Sequence, residues 1–221
     1  VLFDTGTLTW YRNNGLGVFA PGVTISSGAA FAEDFDLGDL DGDGDLDLVY
    51  NAYSSGDIIV RLFAGGAFGP PQTWATVPFW ARFLRFMHLD PLENDDLDLV
   101  VHQQNPTASA LLNTGGAFGA PTSFGSGTNF LGPGNMEVGN ISGSLGDVVV
   151  QGASTLWLHT LRHNVDGYYW VTTDLGYCDD RIQVVDVDGY TGDDGPMEIG
   201  RTNSDTLYYM DVYDSDGTIF D

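Results

Sequence analysis

The apolar positions of the chain come in short runs. DLDLVYNA (45–52), DIIVRLFA (57–64) and FGPPQTW (68–74) are rich in β-branched and aromatic residues and are set apart by Gly, Ser, Asn or Pro. That is the pattern of β-strands joined by tight turns. No window of about 11 residues or more carries a clean helical period, so the chain is expected to be all-β.

The runs repeat. GGAFGPP at 65–71 returns as GGAFGAP at 115–121, and NNGLGVFAP at 13–21 has the same turn, Phe and Pro in order. Phe19, Phe68, Phe118, Tyr169 and Phe220 follow one another at 49, 50, 51 and 51 residues. An acidic column, Asp47, Asp98, Asp147 and Glu198, is spaced by 51, 49 and 51, each member preceding Leu, Val or Ile. Two independent columns agreeing on a period near 50 indicate an array of like units. About four short strands fit such a unit, as in one blade of a β-propeller. The expectation is one repeat domain over 1–221, a propeller or a segment of one. It divides into the last two strands of a blade (1–28), blades at about 29–77, 78–127 and 128–177, and a last, incomplete blade at 178–221. Such a series either closes its ring by pairing its ends or belongs to a longer chain. The aromatic column is expected after the third strand of each blade, with its rings buried between blades.

The most informative stretch is Asp39-Leu-Asp41-Gly-Asp43-Gly-Asp45-Leu-Asp47. Carboxylates at alternate positions, with glycines to permit the tight turn, wrap one hard cation. Close carboxylate pairs repel by roughly 1 kcal/mol even in water, so the loop is expected to be ordered by its metal. The opening is that of an EF-hand, but Tyr50 stands where the closing Glu would be and β-type residues follow, so the loop joins strands. Here the chain resembles the FG-GAP/VCBS repeat family, the propellers of integrin α-chains and many secreted proteins, whose blades carry a D-x-D-x-D-G-x-x-D calcium loop between their first two strands. GDLDGDGDLDLV at 38–49 and the two GGAFG turns carry the likeness. The resemblance implies that Asp39, Asp41, Asp43 and Asp47 give side-chain oxygens to Ca2+ and Asp45 its backbone carbonyl.

Other copies of the loop are degenerate. Asp186, Asp188, Asp194 and Glu198 form a second candidate calcium set, with Tyr190 interrupting it. In the copy between, His88 takes the first position, with Asp90, Asp95 and Asp96 near by; imidazole suits a hard cation poorly, and that loop reads as structural. Asn140, Ser142, Ser144 and Asp147 carry too little charge for a tight site. His159 and His163 fall on an expected strand, roughly 13 Å apart, too far to share a zinc. Arg12, Arg61 and Arg162 share a column and read as salt-bridge partners of neighbouring strands, or as donors to an acidic ligand. Trp10, Trp74, Trp80, Trp157 and Trp170 share no column and read mainly as packing between blades. Asn140-Ile-Ser142 is a glycosylation sequon that matters only in a protein secreted by a eukaryote.

Composition narrows the function. Thirty-one carboxylates face seven arginines and no lysine, a net charge of −24, which repels nucleic acid and anionic lipid headgroups. Without lysine there is no Walker lysine and no Schiff-base chemistry. Cys178, the single cysteine, admits no intrachain disulfide and reads as a small buried hydrophobe. No apolar run approaches a membrane span, and no charged-then-apolar leader opens the chain at Val1, so either a leader has been removed or the chain is a fragment. GxSxG, HExxH and GxGxxG are absent. The expected function is therefore a calcium-stabilised extracellular recognition, adhesion or structural module without catalytic activity. Its partners would be protein or glycan ligands on the propeller surface, or further copies in self-assembly. Alternatives are the non-catalytic propeller of a secreted hydrolase or polysaccharide lyase, and a sugar-binding lectin. Neither nucleic-acid binding nor membrane insertion is expected.

Overall fold

The structure, a computed structural model, describes residues 7–26, 32, 34–52, 55–78, 80–89, 96–103, 108–124 and 136–138, together with the backbone of the remaining strands named below. Cys178, Phe220, Asp186, Asp188, Asp194, Asp90, Asp95 and the sequon at Asn140 lie outside these residues.

The described residues hold strands and no helix, so none is long and apolar enough to cross a membrane. The first sheet contains β1 (Leu2–Asp4), β2 (Thr7–Trp10) and β3 (Val23–Ser26). In the second, β4 (Phe35–Gly38), β5 (Asp47–Ala52), β6 (Asp57–Arg61) and β9 (Gln72–Thr76) pair in that order, with a small hairpin of β7 (Phe63–Ala64) and β8 (Ala67–Phe68) before β9. The third sheet is β10 (Ala81–Met87), β11 (Asp98–Gln103), β12 (Ala108–Leu111) and β13 (Thr122–Phe124). The fourth is β14 (Met136–Gly139), β15 (Gly146–Gln151), β16 (Thr155–Asn164) and β17 (Gly167–Tyr177). The fifth is β18 (Ile182–Val185), β19 (Glu198–Thr202) and β20 (Met210–Tyr213). All pairs are antiparallel, and β10 packs beside both β4 and β14, and β14 beside β18. Successive first strands thus lie side by side, the arrangement of blades in a propeller-like segment. The first sheet has three strands where the repeat gave two, because Leu2–Asp4 pairs with β2 in register, Phe3 opposite Leu8. His159 and His163 both lie on β16.

The core sits between sheets, and the two-residue period of a strand assigns its residues. On β5, Leu48 and Tyr50 join Leu8 and Ile25 of the first sheet and Ala32, which lies between β3 and β4. Val49, between them, joins Leu84, Leu99 and Val101 of the third. On β11, Val100 faces forward to Met136 of the fourth sheet. A central strand of this kind is buried on both faces, which is why DLVYNA is buried along its whole length.

Polar side chains stitch the same interface. Asp34 Oδ2 accepts the Leu84 N–H at 3.0 Å and Asp36 Oδ2 the Phe86 N–H at 2.8 Å, so carboxylates before and on β4 occupy alternate donors along the free edge of β10. Arg85 pairs with Asp34 at 2.7 Å and reaches Glu137 at 3.8 Å. The Asn51 amide donates to the Ala81 carbonyl and the Asn113 amide to that of Leu40. Among the described residues, Arg61 does not make the salt bridge its column suggested; it donates to the Gly69 carbonyl, between β8 and β9, at 3.2 Å.

The aromatic column keeps its backbone place but not its burial. Phe19 bridges Asn13, Phe68 pairs with Phe63 and Phe118 bridges Asn113, each across a glycine turn such as Gly65–Gly66 with φ of 61° and 88°. Phe118 is 6% exposed and packs edge-to-face on Trp74 of the preceding sheet. Phe68 meets Trp10 of the sheet before it. Phe19 is 61% exposed, contrary to the expectation. Tyr169 stands opposite Arg162 in the β16–β17 hairpin.

Candidate metal centre

The acidic loop leaves β4 at Gly38 and enters β5 at Asp47, two residues that pair across its base. Asp39 organises the turn: its Oδ1 accepts the N–H groups of Gly42 (2.8 Å) and Asp43 (3.1 Å), and its Oδ2 that of Gly44 (2.9 Å). Asp41 Oδ1 accepts the Asp43 N–H at 3.3 Å, and Asp43 Oδ1 the Asp45 N–H at 2.9 Å. Gly42 and Gly44 have φ of 76° and 90°, a region L-residues rarely enter. The side chains are thereby turned toward one another.

Asp39, half-buried, and Asp41 and Asp43, both exposed, each bring one carboxylate oxygen within 4.8 Å of the others. A calcium ion with ligands at about 2.3–2.6 Å places oxygens on opposite sides roughly 4.6–5.2 Å apart, so the three fit around one such ion. Bare, each pair repels by about 0.9 kcal/mol in bulk water at that separation. The donor set is oxygen only, which suits a hard divalent cation and not zinc in a sulfur or nitrogen site.

Asp47 and Asp45 stand differently. Asp47 is fully buried; its Oδ2 accepts the Leu40 N–H at 2.9 Å and its Oδ1 the Phe63 N–H at 2.7 Å. Burial raises its pKa above the ordinary aspartate value, opposed by those two N–H groups and reinforced by Asp41 and Asp43. Asp98 repeats the arrangement in the third sheet, accepting from Leu89 at 2.7 Å and Asn113 at 2.8 Å, although His88 replaces the first acid of its loop. The column acid ties the loop's beginning to the residues after the third strand whether the loop opens with Asp39 or with His88. Asp45 is exposed, its carboxylate outside the triad. Glu198 begins β19 opposite Val185, and Asp147 begins the paired run of β15 opposite Gly139.

The sequence reading passed over Asp34, Asp36, Asn51 and Asn113. The alternation of Asp34 and Asp36 on a strand edge was the available signal, and it was masked by the many other carboxylates. The Asn13 and Asn113 side chains accept the Gly15 and Gly115 N–H groups at 2.9 and 3.0 Å and so close the glycine turns.

No curated protein matches the chain in sequence. The family model of the FG-GAP-like repeat matches residues 1–50, a span that runs from the first sheet through the acidic loop and into β5. The structure continues beyond it with antiparallel sheets on the same plan, so the segment that holds the acidic loop is similar to an FG-GAP-like repeat, and the fold around it is all-β.

Proposed function

We propose that the protein is a calcium-stabilised recognition module that works through its surface outside the cell and catalyses no reaction. The observation that carries this is the triad of Asp39, Asp41 and Asp43, gathered within 4.8 Å by a turn that Asp39 itself organises. FG-GAP-like repeats are typically extracellular, where free calcium is near millimolar. That is the range in which short exposed oxygen loops of extracellular modules bind. Divalent cations there also offset the self-repulsion of a chain of charge −24.

Calorimetric calcium titration tests the reading, with an expected Kd on the order of 0.01–1 mM. Asp43→Ala should abolish the signal and lower the Tm in calcium while changing little in chelator, since a cation held only by the folded state stabilises by mass action. Nanomolar affinity, a zinc preference, or turnover in a polysaccharide activity screen would overturn it.

A further inference from the structure

Beside the acidic loop an open groove of about 370 Å³ is lined by Trp10, Tyr11, Phe63 and Phe68 together with Asp45 and Leu46. Trp10, Phe63 and Phe68 meet pairwise with centroids 5.0–5.7 Å apart and planes inclined by 73–82°. The rings therefore form a corner and offer no flat platform for a pyranose. Tyr11 is 41% and Leu46 58% exposed, so the groove presents side chains that the packing between sheets leaves uncovered. Aromatic faces carry partial negative charge, and Asp45 adds a full one to the lining: it is an exposed residue outside the cation triad. The chain around it bears 31 carboxylates against seven arginines, a field that draws cations and repels anions.

We infer that this groove binds a cationic side chain, arginine or lysine, of a basic partner segment, with the ammonium or guanidinium group against the aromatic walls and Asp45. The stem of such a side chain is apolar and its head charged, matching a lining of aromatic side chains that includes one carboxylate. The inference rests on the reading of the protein as a recognition module. It does not need Asp45 as a metal ligand through its side chain, so a loop filled with calcium leaves that carboxylate to the partner.

The test is titration of acetyl-Gly-Arg-Gly-Arg-Gly-amide into the calcium-saturated protein at about 0.15 M salt, where long-range attraction is screened. The comparison peptide carries citrulline, the neutral isostere of arginine. Saturable binding of the arginine peptide is expected, about tenfold weaker with citrulline, and about three- to tenfold weaker for Asp45→Asn and for Tyr11→Ala. Tyr11→Ala leaves net charge unchanged, and Leu46→Ser, at an exposed position of the lining, repeats the comparison should Tyr11→Ala fold poorly. Unaltered binding by both variants would mean diffuse attraction and overturn the proposal. So would equal binding of citrulline, displacement by a neutral chitin tetrasaccharide, or no binding at about 1 mM peptide. Calcium affinity measured on the same samples separates the readings: calcium bound without the peptide removes the groove alone, whereas the peptide bound without calcium removes the metal.

Discussion

Asp98→Ala removes both acceptors of a carboxylate that is 1% exposed and takes the N–H groups of Leu89 and Asn113 at 2.7 and 2.8 Å. Each buried donor left without a partner costs about 1–3 kcal/mol, a gross loss of about 2–6 kcal/mol. The mutant no longer desolvates a charged group, which offsets part of this, so a net destabilisation of about 2–4 kcal/mol is expected. Asp98→Asn keeps one acceptor oxygen and turns an amide toward the other donor, for about 1–3 kcal/mol. Urea unfolding, followed by tryptophan fluorescence and far-UV circular dichroism, reads the difference. With a slope of about 2–3 kcal/mol per molar, the Ala variant should unfold about 0.7–2 M earlier. Coincident transitions by the two probes are required, since repeat arrays can lose cooperativity. Asp47→Ala should be destabilised by a similar amount in chelator as in calcium, because its bonds to Leu40 and Phe63 do not depend on a metal. A midpoint shift under about 0.2 M for Asp98→Ala, or an Asp47→Ala effect seen only with calcium, would refute the assignment of this column to the backbone.

Phe118→Ala should cost about 3–5 kcal/mol, whereas Phe19→Ala, at an equivalent backbone place but exposed, should stay within about 0.5 kcal/mol; equal losses in urea unfolding would show that the rings share one environment. A Cβ at Gly38 would stand 2.6 Å from Leu97 Cδ1 and 2.9 Å from Phe86 Cδ2, so Gly38→Ala should overpack the contact between the second and third sheets by about 1–3 kcal/mol, read as a lowered Tm. Burial raises the Asp34 pKa, with Arg85 and the Leu84 N–H opposing. The folded state therefore holds this proton at pH values where the unfolded chain has lost it, and the stability contributed by Asp34 falls as pH rises from the ordinary aspartate range through the raised value. In chelator, Tm should rise on acidification from neutral pH toward that range, and Asp34→Asn should lessen the slope; identical slopes would contradict the shift.

The repeat, the strand positions and the turns were legible in the residues themselves because they are local properties. GGAFG at two places makes the same glycine turn, and the alternation along DLVYNA assigns Val49 to one face and Leu48 and Tyr50 to the other. The acidic loop was legible for the same reason: Asp39, Asp41 and Asp43 meet through hydrogen bonds to the Gly42, Asp43 and Gly44 N–H groups, all within the loop. Asp47 shared that spacing, and spacing alone could not show that its oxygens are already engaged by Leu40 and Phe63.

What only the tertiary structure decided is what each unit receives from the one beside it. Phe19 and Phe118 occupy the same column and differ in exposure tenfold, 61% against 6%, because burial depends on whether a neighbouring sheet supplies a tryptophan. Asn113 reaches Leu40 across 73 residues, and Asp34 reaches Leu84 across 50, contacts that exist once two sheets face each other. The amino-acid order by itself determined the unit, its period and the acidic loop, since turns and strand faces follow from backbone sterics and neighbours close along the chain. The stacking of sheets determined which carboxylates stitch edges, which ring is covered and where the aromatic groove opens, since burial and the free energy of a polar group belong to the surroundings that packing supplies.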